Sequence, residues 1–386
     1  MASRDVREML RGFESDAAAI VAEGVAKPYA VIDSNSDRWH SMVSDLRTVL
    51  AADPDFQPHG NTFIHGKQIM LSEWQAPNLL KISASRGVDS ALKWFAKIRN
   101  ITSANIDVIC EITGLIIDDR VIFSNGVELL PLSLLPDRPQ TRHLIQSVTV
   151  GRGDMYGTMA AAVITKHNIA ATLDHVLSHQ GYRDDVDIIR RTINSFTLID
   201  DYAPTIGISW SEFHDDDYSA ASVGYGWTGA VFDGRLADHP KKFDSNAYDR
   251  VEQFLAVPNE IQQKCDVPLT RLNLARRRKT PGDQAIDGCI ALEALLGDRQ
   301  FGDLTYKLKL RASRLLGDNL EKRREIGLSV GKFYSLRSKV VHGQSAGISQ
   351  QDQKDADRGL KICSEVLEKI VSSAQLPDIL ILEYGG

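Results

Sequence analysis

Cysteine is scarce. The 386 residues hold four (Cys110, Cys265, Cys289 and Cys363), with no CxxC pair and no zinc-ligand rhythm. That spacing argues against a disulfide framework or a zinc ribbon and fits reduced thiols, with no metal expected. Long apolar runs are missing too. None approaches the ~18 residues of a membrane span, so no membrane partner is expected. The charged opening, Met1-Ala-Ser-Arg-Asp-Val-Arg-Glu8, is unlike a secretory leader, and a cytoplasmic location follows as the expectation. Positive charge is not in excess: 45 Lys and Arg face 51 Asp and Glu, a net charge of -6. Any contact with RNA must therefore come from local basic patches. There is no P-loop, no nucleophile elbow, and no Gly-Ser with paired aspartates of the nucleotidyltransferase kind. No cofactor is expected.

What is present reads as globular, with 43% apolar and 25% charged residues. The length allows two cores. Residues 1–245 mix strand and helix signals and are expected to form an α+β domain with a sensing or regulatory role. Val121-Ile-Phe and Val127-Glu-Leu-Leu flank Ser124-Asn-Gly126, a hairpin whose Asn125-Gly126 suits positive φ angles. Leu144–Val150 is expected as a strand, His167–Phe196 as a helix broken at Gly181, and Thr205–Phe232 as two or three strands. The polar stretch His239–Asn246 marks the boundary. Residues 246–386 read as an all-α helical bundle, with helices near Tyr248–Val257, Leu269–Lys279, Asp283–Leu296, Leu304–Leu316, Asn319–Val341 and Gln351–Ser373. Asp318 and Glu321 offer a capping box for the fifth.

Two charges interrupt apolar stripes in the bundle. At 100° per residue, Arg337 falls among Ile326, Val330, Phe333 and Val341. Glu293 follows Ile286 and Ile290 at i, i+4, i+7. A guanidinium on an apolar face needs an anionic or polar partner, so Glu293 and Arg337 are expected to meet inside the bundle, either as a structural buried ion pair or as part of a site. His342 ends the same helix. Histidine titrates near neutral pH and can act as general acid or base, or simply cap the last carbonyls. Positions five apart diverge by about 140° on a helix. Aiming both side chains at one point therefore needs either an unwound last turn or two chains. The run Arg276-Arg-Arg-Lys279 either tracks an RNA backbone or is a solvated helix end. Lys307, Lys309, Arg311 and Arg314 add positive charge further on.

Four segments in order resemble the HEPN superfamily, nearest its Apea-like, abortive-infection branch. They are Arg271-Leu-Asn-Leu-Ala-Arg-Arg-Arg-Lys279, Asp283-Gln-Ala-Ile-Asp-Gly-Cys-Ile-Ala-Leu-Glu-Ala-Leu-Leu-Gly297, Tyr306-Lys-Leu-Lys-Leu-Arg-Ala-Ser-Arg-Leu-Leu-Gly317 and Phe333-Tyr-Ser-Leu-Arg-Ser-Lys-Val-Val-His-Gly343. The resemblance implies a helical bundle that homodimerises, with arginine–histidine motifs facing a shared cleft. It implies metal-independent RNA cleavage leaving 2′,3′-cyclic phosphate and 5′-hydroxyl ends, in phage defence or as a toxin. Arg337 would bind the scissile phosphate and His342 would move the proton. From the residues themselves, Glu293 joins the candidate site together with Ser338, which follows the arginine, and Arg276, Arg277, Arg278, Lys279 and Lys339 are candidate RNA contacts. Ser338 stands where many active members carry Asn, Asp or His. That departure favours the alternative, a non-catalytic HEPN module binding RNA, nucleotide or a partner protein.

Among the remaining signals, His175 and His179 sit at i, i+4 without a third ligand. Glu212–Asp217 reads as an exposed acidic loop, and Gly151–Gly157 only faintly suggests a phosphate loop.

Overall fold

The computed structural model describes residues 4–23, 37–56, 62–138, 141–142, 145, 161–199, 202–223, 227–228, 240–298, 303–343 and 349–384. Apart from Ile145, the expected strand Leu144–Val150 lies outside them, as do Gly151–Gly157 and the stretch 229–239.

An α+β region comes first and helices follow. Helices α1 (Arg4–Glu23), α2 (Asp37–Ala52), α3 (Ala76–Arg86) and α4 (Val88–Arg99) enclose one core around Leu10, Leu46, Leu79 and Phe95. The hairpin β1 (Thr62–Ile64) and β2 (Lys67–Ile69) closes it. A sheet follows, built from β3 (Ser103–Thr113), β5 (Val121–Ile122), β6 (Glu128–Pro131), β7 (Ala161–Ala170), β8 (Thr205–Phe213) and β10 (Trp227–Thr228). Its antiparallel order is β10-β8-β3-β7-β6-β5. Outside it, β4 (Leu115–Ile116) pairs with β11 (Lys241–Lys242), and β9 (Ser222–Val223) pairs with β2. Helix α5 (His175–Ser195) lays Tyr182, Val186, Ile189 and Ile193 on one face of the sheet. A short α6 (Asp216–Ala221) follows β8.

Several expectations are corrected here. His167 belongs to strand β7, because register with β3 outweighs its neutral local propensity. Helix α5 runs through Gly181 unbroken. In the Val121–Leu130 hairpin only Gly126 has positive φ, +81°. Gly126 N–H bonds to the Phe123 carbonyl, and Phe123 N–H to Val127. Ser124 and Asn125 are thus the turn's centre and Gly126 its left-handed exit.

The bundle comprises α7 (Ser245–Leu255), α8 (Asn259–Arg276), α9 (Pro281–Leu296), α10 (Leu304–Leu316), α11 (Leu320–Val341), α12 (Gln350–Ser373) and α13 (Ile379–Tyr384). Helix α8 starts ten residues before the expected Leu269 and passes through Pro268. Proline forfeits a backbone bond there, but Ile261, Cys265, Leu269 and Leu272 are buried at helical spacing on both sides of it. Pro281 opens α9 behind a Thr280 cap. Asn319, not Asp318, caps α11, accepting from Lys322 N–H at 2.9 Å. Helix α7 belongs to both halves: Ala247 and Val251 pack under the sheet, and Phe254 enters the bundle core. Phe333 lies between the backbones of Gly288 on α9 and Gly359 on α12, where a Cβ would come within 2.5 and 2.2 Å of its ring. No helix among the described residues is long and apolar enough to cross a membrane.

Candidate functional site

Ile326, Val330 and Phe333 of α11 are fully buried. Arg337 continues their stripe to the rim of the bundle, where its side chain keeps 36% exposure. Val341, one turn on, is 60% exposed rather than in the core. The reason is that Val340, not Val341, packs on the α9 backbone at Gly282. On α9 the buried stripe is Ala285, Cys289, Leu292 and Leu296. The Ile286, Ile290 and Glu293 face beside it is half-buried. Glu293 and Arg337 do meet, with Nη2 3.8 Å from Oε1, but as a rim ion pair with Glu293 26% exposed.

Tyr334 completes the arrangement. Its hydroxyl donates to the same Glu293 Oε1, and the Arg337 guanidinium carbon lies 5.7 Å from its ring centroid. Burial, then the bond to Glu293, push the phenol upward from its ordinary value. Tyr334 therefore stays a donor and holds the Glu293 carboxylate, which in turn holds Arg337. A guanidinium has five N–H donors. A single ion pair of this length leaves donors to face an incoming phosphate.

His342 is exposed at the C-cap of α11, with Ser335, Ser338 and Lys339 also exposed. Its N–H still bonds to the Ser338 carbonyl at 3.1 Å, and only Gly343 turns left-handed, at φ +71°. The last turn is thus regular. With about 140° between the two positions, Arg337 looks along the bundle rim and His342 looks out. One chain does not aim both at one point. Lys339 pairs with Asp352 at 3.5 Å.

The run 276–279 does not form one basic face. Arg276 turns inward to the carbonyls of Ile199 and Tyr202 at 2.7 and 2.9 Å and to Ser364. Arg277 is 8% exposed and donates to Asn273. Arg278 pairs with Asp287 at 2.8 Å, leaving Lys279 exposed. Internal carbonyls and carboxylates compete successfully with any RNA contact for the first three. The next basic group is absorbed likewise. Arg311 is fully buried, donating to the Leu296 carbonyl, Asp298 and Glu383, while Lys307 pairs with Asp298 and Arg314 with the carbonyls of Leu382 and Glu383. Arg311 and Arg314 fasten α13 to α10, and Arg311 and Lys307 tie α10 to the end of α9.

Other polar groups gather without having been foreseen. His65, 2% exposed, turns the β1–β2 hairpin at φ +51° and sits 2.5 Å from Asp185. His167 lies 3.5 Å from the same carboxylate. Asp107, buried in β3, holds Arg138 and His214 at 2.5 and 2.6 Å. The sequence signal for His65 is the His-Gly turn between two short apolar runs. His175 and His179 stack edge to face at 4.2 Å, and no cluster suited to a metal occurs among the described residues. Glu212 is buried in β8, not exposed, and accepts from Thr141, while Asp215 and Asp217 pair with Lys97.

No family model, curated protein or solved structure matches the chain.

Proposed function

We propose that the bundle is a metal-independent endoribonuclease of the HEPN type, acting as a homodimer. The observation that carries this reading is the Tyr334–Glu293–Arg337 arrangement, which presents an oriented, half-exposed guanidinium at the bundle rim. Arg337 binds the scissile phosphate and offsets its developing charge. His342 of the second copy takes the proton from the RNA 2′-hydroxyl, whose oxygen attacks the adjacent phosphorus. The protonated His342 returns that proton to the departing 5′-oxygen as the P–O5′ bond breaks, giving a 2′,3′-cyclic phosphate and a 5′-hydroxyl. The regular last turn of α11 supports the two-chain form, since within one chain the pair diverges. The α+β region serves as sensor or guide, and the cellular role is phage defence or toxicity. Ser338 favours a second reading, a HEPN module that binds RNA, nucleotide or a partner protein without cutting.

RNA cleavage in EDTA tests this. Wild type should leave cyclic phosphate ends, while Arg337→Ala and His342→Ala should be inactive alone. Mixed in equal amounts, the two variants should regain about a quarter of wild-type activity, because half the dimers then hold one intact composite site. Inactive wild type supports the binding module, and cleavage by both variants refutes the site.

A further inference from the structure

A cleft of about 490 Å³ lies where the α+β region meets the bundle, between α5, the start of β8, and α8. We propose that it binds a small phosphorylated ligand. Its volume suits a small molecule, for which sites span roughly 300–1,000 Å³. Among its lining residues are three arginines, Arg183, Arg190 and Arg277, against a single carboxylate, Asp187, which pairs with one Nη of Arg190 and leaves the other donors of that guanidinium to a ligand. Arg183 and Arg190 stand seven residues apart on one face of α5, about 10 Å along its axis. Both side chains are long enough to reach one ligand between them. Arg277, at the end of α8, is claimed by Asn273, to whose Oδ1 its Nε donates at 3.0 Å, and it adds positive charge to the wall rather than a ligand contact. Guanidinium forks match phosphate oxygens in geometry and charge. Val186, Ile206 and Leu274 supply an apolar wall for the rest of the molecule.

The cleft is held in shape before any ligand arrives. Arg191 makes two 2.8 Å bonds to Asp266, Asn194 donates to Thr270 at 2.9 Å, and Asn273 donates to the Pro204 carbonyl at 2.8 Å. Each bond joins the α+β region to α8, so little ordering is left for binding to offset. A ligand here touches both halves. It also bears on α9, which carries Glu293, because Arg271 and Arg278 of the α8 end hold Asp287 of α9.

Calorimetric titration of the full chain with AMP, inorganic pyrophosphate and adenosine tests the site. AMP or pyrophosphate should bind saturably, and adenosine at least about tenfold more weakly than AMP. Arg183→Glu and Arg190→Glu alter exposed side chains and should keep the wild-type melting temperature. Each should weaken binding about tenfold or more, since a charge-assisted bond is lost and a repulsion added. Arg337→Ala should bind as wild type, which separates this site from the proposed RNA site. Binding of AMP alone identifies a nucleotide, and equal binding of pyrophosphate identifies phosphate as sufficient. Absent binding of both, adenosine binding as tightly as AMP, or unchanged binding in both charge reversals overturns the proposal.

Discussion

Arg311 and Arg337 are both arginines on apolar helix stripes, but one is fully buried and the other lies at the rim. Arg311 has no exposed surface and serves Leu296, Asp298 and Glu383 at once. Arg311→Ala leaves a carbonyl and two carboxylates short of a donor and opens a cavity. Breaking a buried ion pair costs about 3–5 kcal/mol. Asp298 keeps Lys307, and it and Glu383 are 20% and 10% exposed, so water relieves part of the loss. The lower end, about 3 kcal/mol, is the expectation. At roughly 2–4 °C per kcal/mol for a domain of this size, the melting temperature should fall by roughly 6–12 °C. Arg337 is 36% exposed and its ion pair spans 3.8 Å, so its stability contribution is at most about 1 kcal/mol. Arg337→Ala should therefore melt within about 4 °C of wild type, yet lose about 10²–10³-fold in cleavage if it steadies the transition state. Circular dichroism melts and the EDTA cleavage assay read both quantities. Equal thermal losses in the two variants would make Arg337 a structural ion pair and remove it from the site.

Gly359→Ala puts a methyl 2.2 Å from the Phe333 ring, which Gly288 blocks on the other side. Overpacking of about 1–3 kcal/mol should outweigh the gain of about 1 kcal/mol in helix propensity, and adding Phe333→Leu should recover part of the loss in a chemical denaturation series. Lys67 is buried, and burial lowers its amine to about 8, partly offset by Glu212. Between about pH 8 and 10.5 the unfolded chain then binds the proton that the folded chain has released, so this lysine adds stability as pH rises. Lys67→Met should be the more stable protein at pH 7, by up to roughly 3 kcal/mol, with the gap closing by pH 10; a gap independent of pH would refute the burial argument. The thiols are inaccessible, with burial pushing Cys110, Cys265 and Cys363 up to about 12 and Cys289 higher still. Ellman's reagent at pH 8 should find none in the native protein and four in guanidinium.

The bundle's helices were legible because their evidence is local. Leu304–Leu316 runs between the residues that its apolar spacing and Gly317 imply. The Glu293–Arg337 meeting was legible in part: each charge continues an apolar series along its helix, but the Ile286–Ile290 series is half-buried beside the true stripe, so the two meet at the rim rather than inside. The sheet was not legible in the same way. Strand β3 pairs with β7 and β8, at Ala161–Ala170 and Thr205–Phe213, and nothing within a short window encodes such a partner. His167 reads as helix locally and becomes strand only through its register with Ile106.

The basic residues show where pattern reading stops. Arg276, Arg277, Arg278 and Arg311 look like a positive surface when counted along the chain. Each is instead claimed by a carbonyl, amide or carboxylate, several of them distant in sequence: Ile199 for Arg276, Glu383 for Arg311. Spacing tells which face of a helix a charge occupies, but only the fold tells what stands opposite. Where that partner is internal, the arginine becomes a fastener. Arg337 differs because the residues opposite it, Glu293 and Tyr334, orient the guanidinium and leave one side of it open at the rim. The number of donors an arginine has left after its internal partners are satisfied therefore separates a candidate phosphate ligand from a structural cation, and the net charge of -6 does not.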